Sequence, residues 1–276
     1  MMKIITEPTV YVVGRQSLHT DLIDFLVDHQ TGWRSDSDRP AEVLVEGAGR
    51  LCYMSFANPR PGGNSAYIKH ILESGHGSVL EHAVWNFIIT GVSRSLTHEL
   101  IRHRAGFGYS QLSQRYVDES VAEYVLPPDL IQGYKLSHSD DDLEDDDEIA
   151  QAQTFGWWLE SITASHRFYT TLVERLTRTA ESKGLTGTEA RKYARQAARS
   201  VLPNATETKI FVTANARALR HFLEQRGSRF AEPEIRRLAN ELLSVLVNEA
   251  PNIFGDYTRT KLPDGTFEID TPYRKV

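Results

Sequence analysis

The chain has 276 residues, of which 40% are hydrophobic and 25% are charged, and its formal net charge is −6. That length suits one large domain or two small ones and is enough to bury a core without disulfide staples. The acidic balance excludes a general polyanion-binding protein, so any phosphate site must be a local cluster of arginines. Cys52 is the only cysteine, which excludes an intrachain disulfide. We see no signal peptide and no apolar run of about 18 residues, and therefore expect a cytoplasmic protein without a membrane span.

Hydrophobic spacing, helix caps and breakers predict the secondary structure. In chain order, the predicted elements are a strand over residues 4–14, a helix after Ser17, a helix over 41–53, a helix capped by Asn64 and ended by Gly75, a strand over 83–90, a helix from Ser93 or Ser95 to Ile101, a helix over 150–182, a helix over 188–201, a strand over 206–213, and helices over 215–226 and 233–249. Many helices with few strands are typical of the α+β class, with a small mixed or antiparallel sheet. We expect one domain over residues 1–276.

An acidic run interrupts this pattern. Residues 137–148 carry eight acidic side chains in twelve positions. Such a run repels itself, which favours a solvated loop, so residues 137–149 are predicted to be an acidic loop insertion. The run lacks the glycine that an EF-hand calcium loop requires, and we assign no metal site to the chain.

A cationic and donor-rich segment carries the clearest chemistry. Arg102-His-Arg104 places two guanidinium groups beside an imidazole, and guanidinium suits phosphate and carboxylate bidentately. The alternative is that these cations only interact with the negative end of a helix dipole. Residues 105–116 then add two glycines, two serines, two glutamines and Arg115, a set able to bind an anion or a base edge. A polar surface loop is the alternative for that segment.

Further arginines lie downstream. Arg191, Arg195 and Arg199 share one helix face, which indicates either a ligand site or a solvated face paired with the acidic loop. Arg217, Arg220 and Arg226 are on another helix. They cannot all face a core, so we expect several in water and at least one toward a ligand.

Together these segments resemble the flavin-dependent thymidylate synthases. Arg102-His-Arg104 followed by Ser113-Gln-Arg115 is similar to the family signature. The other matching pieces are Gly75-His76, Ser78 and Leu80-Glu-His82, then Arg199-Ser-Val-Leu-Pro203, then Asn215-Ala-Arg217 with Phe222-Leu223 and Arg226. The resemblance implies a homotetramer with FAD sites shared between subunits, which agrees with the absence of a Gly-x-Gly-x-x-Gly dinucleotide fold. It also implies reductive methylation of dUMP to dTMP, with FAD as hydride carrier, methylenetetrahydrofolate as carbon donor and NADPH as reductant.

The resemblance also implies site residues. Those implied for dUMP are Glu99, Arg102, Ser113, Gln114, Arg115, Arg199 and Arg226. Those implied for FAD are Cys52, His76, Ser78, Glu81, Arg102, His103, Arg104, Gln111, Asn215, Arg217 and His221. The candidate catalytic residues are Arg226, which would polarise the uracil, and Ser113. Because a hydroxyl nucleophile needs a neighbouring base, we interpret Ser113 as a nucleotide-binding residue. Cys52 has no neighbouring signature of a nucleophile, so we interpret it as a small buried or near-flavin residue.

The chain departs from the family pattern in its spacing. Eight residues separate Arg104 from Ser113, one more than the signature has. In a helix, one added residue would rotate every later residue by about 100°. We therefore predict a bulge within residues 105–109, with Gly106 or Gly108 at positive φ. Glu99 also replaces a common glutamine, and the acidic run is an insertion.

Two other functions compete with this one. A non-enzymatic nucleotide or nucleic-acid binding module would also use clustered arginines with aromatic residues, but the net charge of −6 opposes it and we expect no nucleic-acid partner. An inactive family member acting as a scaffold is the second alternative, which retention of the motif arginines opposes. Bound flavin in the purified protein distinguishes the enzyme from the binding module.

Overall fold

The computed structural model describes residues 2–58, 61–139, 143 and 145–275. Within that range the α-helices are α1 (Asp21–Asp28), α2 (Pro40–Leu51), α3 (Gly63–Glu73), α4 (Arg94–Leu100), α5 (Ile131–Leu136), α6 (Asp146–Ser182), α7 (Gly187–Ala198), α8 (Ala216–Arg226), α9 (Pro233–Glu249) and α10 (Pro251–Phe254). The strands are β1 (Ile4–Ile5), β2 (Thr9–Arg15), β3 (Val84–Ser93), β4 (Phe107–Gln111), β5 (Tyr124–Val125), β6 (Glu207–Asn215), β7 (Thr258–Lys261) and β8 (Phe267–Asp270). The helix-rich α+β class is confirmed. None of the helices described is both long and apolar enough to cross a membrane.

The largest sheet has four strands in the order β2-β3-β6-β4. β4 runs antiparallel to β6, because the Asn215 N–H donates to the Gly106 carbonyl (3.1 Å) and the Leu112 N–H donates to the Lys209 carbonyl (2.9 Å). The strand pair β1–β5 is parallel and the hairpin β7–β8 is antiparallel. Small sheets of both kinds therefore occur, as predicted.

The chain forms two compact units. Unit 1 comprises Met1–Pro8, Thr90–Glu99 and Gln111–Ile210, and unit 2 comprises Thr9–Ile89, Leu100–Ser110 and Phe211–Val276. Strands β3, β4 and β6 each contribute residues to both units. The single domain over residues 1–276 stays a prediction.

Unit 1 is built on the packing of α6 with α7 and of α5 with α6. Ala190, Ala194 and Ala198 are all buried on one face of α7. Their small side chains let α7 lie close against α6, whose buried face includes Phe155 and Tyr169. Interiors pack at crystal-like density, so larger residues at these alanine positions would force the two helices apart.

Unit 2 holds an aromatic and aliphatic core. The Trp85 and Phe254 rings meet edge to face with centroids 5.8 Å apart. Phe87 and Phe222 are also fully buried. Each such apolar side chain contributes about 1.5–3 kcal/mol when it leaves water. This core supports α8, the helix on which the candidate site is built.

The structure corrects the predicted role of Asn64. The residue before α3 is Gly62, and Asn64 lies buried inside the first turn of α3. Its side-chain amide donates to the Glu42 carbonyl (3.1 Å) and to the Glu46 carboxylate (2.8 Å). Glu46 also pairs with buried Arg50 at 2.7 Å. Asn64 therefore braces α3 against α2, because a buried amide must find its partners inside the protein.

Two predicted elements begin differently from expectation. The strand predicted over residues 4–14 is two strands, with Pro8 between them. Proline has no N–H to give to a sheet ladder, which explains the break. In the acidic run, α6 begins at Asp146, and the Asp145 carboxylate accepts the N–H groups of Asp147 (2.9 Å) and Glu148 (3.2 Å).

Residues 146–149 are therefore the first helical turn, where carboxylates favour the positive end of the helix dipole, and not a loop. Residues 140–142 and 144 of the predicted insertion lie outside the described residues.

Candidate active site

The candidate site of unit 2 is organised by the start of α8. Asn215 ends β6 and caps α8, since its side-chain oxygen accepts the N–H of Ala218 at 2.9 Å. A capping side chain of this kind satisfies one of the helix's orphan N–H groups. The Ala216 N–H donates to the Ala83 carbonyl (2.8 Å), which ties the start of α8 to the strand that comes after the 3₁₀ turn Gly77–His82.

Gly106 lies directly against this cap. Its φ is +73°, and a Cβ at this position would stand 2.7 Å from Asn215 Nδ2 and 2.8 Å from Ala218 Cβ. Only glycine meets both conditions without strain. The predicted positive φ in the bulge is thus confirmed at Gly106. Gly108 has no positive φ, and an added Cβ there would meet nothing nearer than 3.8 Å.

Two cavities of about 610 and 540 Å³ lie beside α8 and share Ala105, Ala218, His221 and Gln225. We call them together the α8 cleft. Predicted flavin residues line both parts: Glu81, Asn215, Arg217 and His221 the larger, and Arg102, His103, Arg104 and His221 the smaller. Seven of the eleven predicted flavin residues are thus brought together. Arg226, predicted for dUMP, lines the smaller part as well.

His103 is fixed in the floor of the cleft. Its Nε2 accepts a hydrogen bond from Arg226 Nε at 2.9 Å, which requires that this nitrogen carry no proton. The imidazole packs edge to face on Phe222, with ring centroids 5.2 Å apart. The Tyr109 hydroxyl lies 2.8 Å from the His103 carbonyl and 2.9 Å from that of Leu100. Burial raises the pKa of Tyr109, so this hydroxyl keeps its proton and remains a donor.

The arginines of α8 divide between two roles. Arg217 is exposed and pairs with Glu81 at 2.6 Å across the wall of the cleft. Arg220 is fully buried and forms a bidentate ion pair with Asp256 at 2.7 and 2.9 Å. The prediction that these arginines cannot all face a core is confirmed, since Arg220 is buried while Arg217 is exposed and Arg226 is half-buried. A buried guanidinium is tolerable when an opposite charge compensates it, as Asp256 does here, although Arg220 Nε itself makes no hydrogen bond within the protein.

Three predicted flavin residues of unit 2 do not line the α8 cleft. His76 and Ser78 are exposed at the 3₁₀ turn that packs against α8. Cys52 is exposed at the end of α2, so the interpretation of a buried cysteine is wrong. In the last turn of α2 it is Arg50 that is buried, where its guanidinium pairs with Glu46. Cys52 lies on the solvent side of that turn.

Unit 1 holds the other predicted nucleotide residues. Ser113 begins a turn in which its carbonyl accepts the N–H groups of Tyr116 (3.1 Å) and Val117 (3.0 Å). Gln114 is buried, and Ser113 and Arg115 are half-buried. Lys192 lies over the Tyr116 ring at 5.2 Å, and its hydrogen bond and charge lower the pKa of Tyr116. The turn therefore carries the side chains of Ser113, Gln114 and Arg115 close to the ammonium group of Lys192.

The remaining predicted residues of unit 1 have separate surroundings. Gln111 donates to the hydroxyls of Thr97 (2.9 Å) and Thr208 (3.3 Å). Glu99 is half-buried near the end of α4, and Arg199 is exposed just after α7. The acidic run does not account for Arg195 in the described residues, because Arg195 pairs with Asp118 at 2.8 Å and donates to the Tyr116 carbonyl.

Sequence reasoning missed Arg94 and Glu119. Burial lowers the pKa of Arg94, and the positive charge of Arg199 lowers it further. Burial raises the pKa of Glu119, which is 5% exposed, and Glu207 adds to that effect. The signal available in the sequence was weak, since Arg94 sits between two serines and Glu119 comes after an ordinary aspartate.

Buried polar atoms without partners gather in this part of unit 1. Among the described residues, Arg94 Nη1 and Arg115 Nε are buried and make no hydrogen bond within the protein. Gln114 Nε2 and Glu119 Oε1 are buried without a well-aligned bond, although the two side chains lie close enough to interact with each other. Such atoms are rare in native proteins and call for a ligand or water. Three of the four atoms are donors, so an acceptor oxygen of water or of a ligand would complete their hydrogen bonds.

Comparison with known proteins identifies the family to which the chain belongs. Residues 35–252 match the family model described as thymidylate synthase complementing protein. The flavin-dependent thymidylate synthase of Mycobacterium leprae is 48% identical over 254 residues, covering 90% of this chain and 92% of that protein. The enzyme of the same name from Mycolicibacterium gilvum is 49% identical over 251 residues, with the same coverage. The chain therefore belongs to the family of flavin-dependent thymidylate synthases.

The fold has a counterpart among solved structures. A UMP/dUMP methylase from Streptomyces cacaoi, crystallised with 5-Br dUMP, matches with a TM-score of 0.61 and 19% sequence identity. The match covers 92% of this chain and 96% of that one. At this identity the likeness concerns the fold alone.

Proposed function

We propose that the chain catalyses the reductive methylation of dUMP to dTMP, with bound FAD as hydride carrier, methylenetetrahydrofolate as carbon donor and NADPH as reductant. Family membership supports this function. The observation that carries it is the α8 cleft, in which seven residues implied for FAD line two adjoining cavities. The folate and nicotinamide partners rest on the family resemblance.

The residues of the α8 cleft suit a flavin dinucleotide. Arg102, Arg104 and Arg217 supply charge for phosphates, and the bare backbone of Gly106 leaves room beside Asn215. When bound, FAD supplies the hydride chemistry, and the protein orients it and excludes water. Arg226 donates to His103 Nε2 and so fixes the orientation of the imidazole in the cleft.

We assign nucleotide binding in unit 1 to Ser113, Gln114, Arg115 and Arg199, and add Arg94. The support is the pair of unpartnered buried donors on Arg94 and Arg115. A phosphate or uracil oxygen would complete their hydrogen bonds, and charge-assisted bonds of this kind are the strong ones. In unit 2, the family resemblance assigns Arg102 and Arg226 to dUMP binding.

Ser113 acts here as a binder and not as a nucleophile. Its backbone carbonyl closes the turn, and the next two residues are an amide and a guanidinium. Neither group removes a proton from a hydroxyl. Methylation then depends on the flavin and the folate, with Arg226 polarising the uracil ring.

We further propose a cytoplasmic homotetramer in which subunits share flavin sites. Large aromatic side chains are exposed on the surface of this chain, including Trp157 (68%), Phe168 (55%) and Phe230 (93%). Exposed aromatics of this size are typical of surfaces that associate. Mass determination in solution tests the assembly, and a monomer at working concentration would refute it.

The absorbance spectrum tests the proposed function most quickly. The purified protein should show visible flavin absorbance at about one FAD per chain, and added dUMP should perturb that spectrum. NADPH oxidation should depend on dUMP. A colourless protein that takes up no added FAD would refute the assignment and favour a plain nucleotide-binding module.

A further inference from the structure

The segment Thr271–Lys275, directly after β8, reaches the wall of the α8 cleft. Arg274 and Lys275 line the same cavity as Asn215 and Arg217. The sequence motifs give no role to either of these two cations. Their position therefore needs an account of its own.

Arg220 holds the segment in place. Its guanidinium pairs with Asp256 and donates to the Tyr273 carbonyl at 3.4 Å, while the Thr271 hydroxyl also donates to Asp256. Arg220 lies on α8 and is fully buried. The helix that lines the cleft with Arg217 and Glu224 thus also fixes the segment, through Arg220. The bidentate pair with Asp256 fixes this geometry, although Arg220 Nε makes no hydrogen bond within the protein.

Lys275 is set at the rim by its backbone. Its N–H donates to both carboxylate oxygens of Glu224, each at 3.1 Å. Its φ is +64°, a conformation that residues other than glycine rarely adopt. The bond to Glu224 favours this conformation and aims the end of the segment at the cavity, which Glu224 also lines.

The carboxylates of this cavity are already engaged. Glu81 pairs with Arg217, and Glu224 accepts the backbone of Lys275. Arg274 uses Nε and Nη2 on Asp270, which leaves Nη1. The Lys275 ammonium forms no hydrogen bond or ion pair with the residues described. Spare cationic donors therefore face a cavity whose negative groups are occupied.

We propose that Arg274 and Lys275 form a cationic rim that binds the phosphate groups of a dinucleotide in the α8 cleft. The proposal rests on the proposed function, which brings FAD and NADPH to the protein. Both dinucleotides carry phosphates, so the shared chemistry is a diphosphate ester. Guanidinium binds such oxygens bidentately, and ammonium binds them as a point charge.

The test uses the full-length apoprotein and two measurements. FAD affinity is measured by quenching of flavin fluorescence, and the KM for NADPH is measured on the flavin-loaded enzyme. The test variant is Arg274→Ala/Lys275→Ala, with Lys275→Arg as a charge-preserving partner. Arg178→Ala and Lys261→Ala are matched controls, because Arg178 is an exposed arginine paired with an acid four residues away, as Arg274 is, and Lys261 is an exposed lysine on β7.

We expect the double variant to weaken FAD binding or raise the NADPH KM by about five- to ten-fold at low salt, with a smaller effect as salt screens the charge. Lys275→Arg should lose less affinity than the double variant, because it keeps the positive charge, and both controls should stay near wild type. A change in FAD affinity assigns the rim to the flavin's diphosphate, and a change in KM alone assigns it to the nicotinamide dinucleotide. If neither changes in a protein that binds FAD, the rim is refuted and the proposed function stands. A wild-type protein that binds no FAD would refute both the rim and the proposed function.

Discussion

At the residue scale, Arg226 takes part in both proposed binding sets. Its Nε donates to His103 Nε2 in the floor of the α8 cleft. Arg226→Ala removes this bond and one charge assigned to dUMP, so we expect dUMP affinity to fall by about 1.5–3 kcal/mol, the usual value of a charge-assisted hydrogen bond. Calorimetric titration of dUMP into the flavin-loaded protein measures the loss. Arg229→Ala is the control, since Arg229 is nearby, exposed and paired with Glu268. Equal losses in both variants would contradict the assignment.

Gly106 and Gly108 make a matched pair of substitutions. Gly106→Ala places a Cβ at positive φ and against Asn215 and Ala218. We expect it to destabilise the fold by about 1–3 kcal/mol and to weaken FAD binding, because the cap of α8 must shift. Gly108→Ala meets open space and should be near neutral. Thermal unfolding and FAD titration compare them. A Gly106→Ala protein with unchanged flavin affinity would show that the conformation of Gly106 is not needed for FAD binding in the α8 cleft.

Glu119 makes stability depend on pH. Burial raises its pKa above the ordinary 4.5. As pH rises through 4.5, the unfolded chain releases this proton while the folded chain keeps it, so the carboxyl's contribution to stability falls until the folded pKa is passed. Glu119→Gln keeps the shape and cannot ionise. The Tm of wild type relative to this variant should therefore decline as the pH rises above about 4.5 and level off above the folded-state pKa. Glu181→Gln, at an exposed position, serves as control. A Tm difference between wild type and Glu119→Gln that does not change with pH would refute a raised pKa for Glu119.

The site could be predicted from sequence where its residues are contiguous. Arg102-His-Arg104 and Asn215-Ala-Arg217 are short motifs, and the structure brings both to one cleft. Arg94, Arg274 and Lys275 could not be recognised in this way. Their surroundings consist of groups far along the chain, such as Arg199 for Arg94 and Glu224 for Lys275. No individual role was predicted for Arg220 for the same reason, because its partner Asp256 lies 36 residues further along the chain.

At the element scale, amphipathic helices were the most predictable part. The helix predicted over residues 233–249 has those bounds, with Pro233 in its first turn and Pro251 beyond its end. In this helix the hydrophobic periodicity and the two prolines indicate the same bounds. The hairpin β7–β8 was missed, because Thr258–Lys261 is fully exposed and polar and has no alternating pattern. Its strands are fixed by pairing and by contact with α8 and α9, which local sequence does not encode.

The start of α6 gives a prediction about the acidic run. Asp145 accepts two N–H groups of the first turn. Asp145→Ala should cost about 1 kcal/mol of stability through loss of the cap. Asp146→Ala, one residue further, removes a charge but no capping bond and is the control. Thermal unfolding measures both, and equal effects would mean that charge matters and the cap does not.

Replacing residues 140–144 with a Gly-Ser linker leaves Asp145 in place. We expect turnover to stay within a few-fold of wild type, because that composition cannot bury apolar surface.

At the scale of the whole molecule, the proposed binding sets match the division of the chain. All but one of the residues implied for FAD belong to unit 2, the exception being Gln111. Most of those implied for dUMP belong to unit 1, except Arg102 and Arg226. Composition and motif order predicted the class of the protein, but they carried no information on this division. Compact units arise from long-range contacts, and strands that pass through both units give no break in the sequence.

Product analysis is the most direct test of the proposed function. The purified protein is incubated with dUMP, methylenetetrahydrofolate and NADPH, with and without bound FAD, and nucleotides are separated by chromatography. The proposed function predicts dTMP only when the flavin and all three substrates are present. Formation of dTMP by flavin-free protein, or its absence with fully flavin-loaded protein, would contradict the assignment.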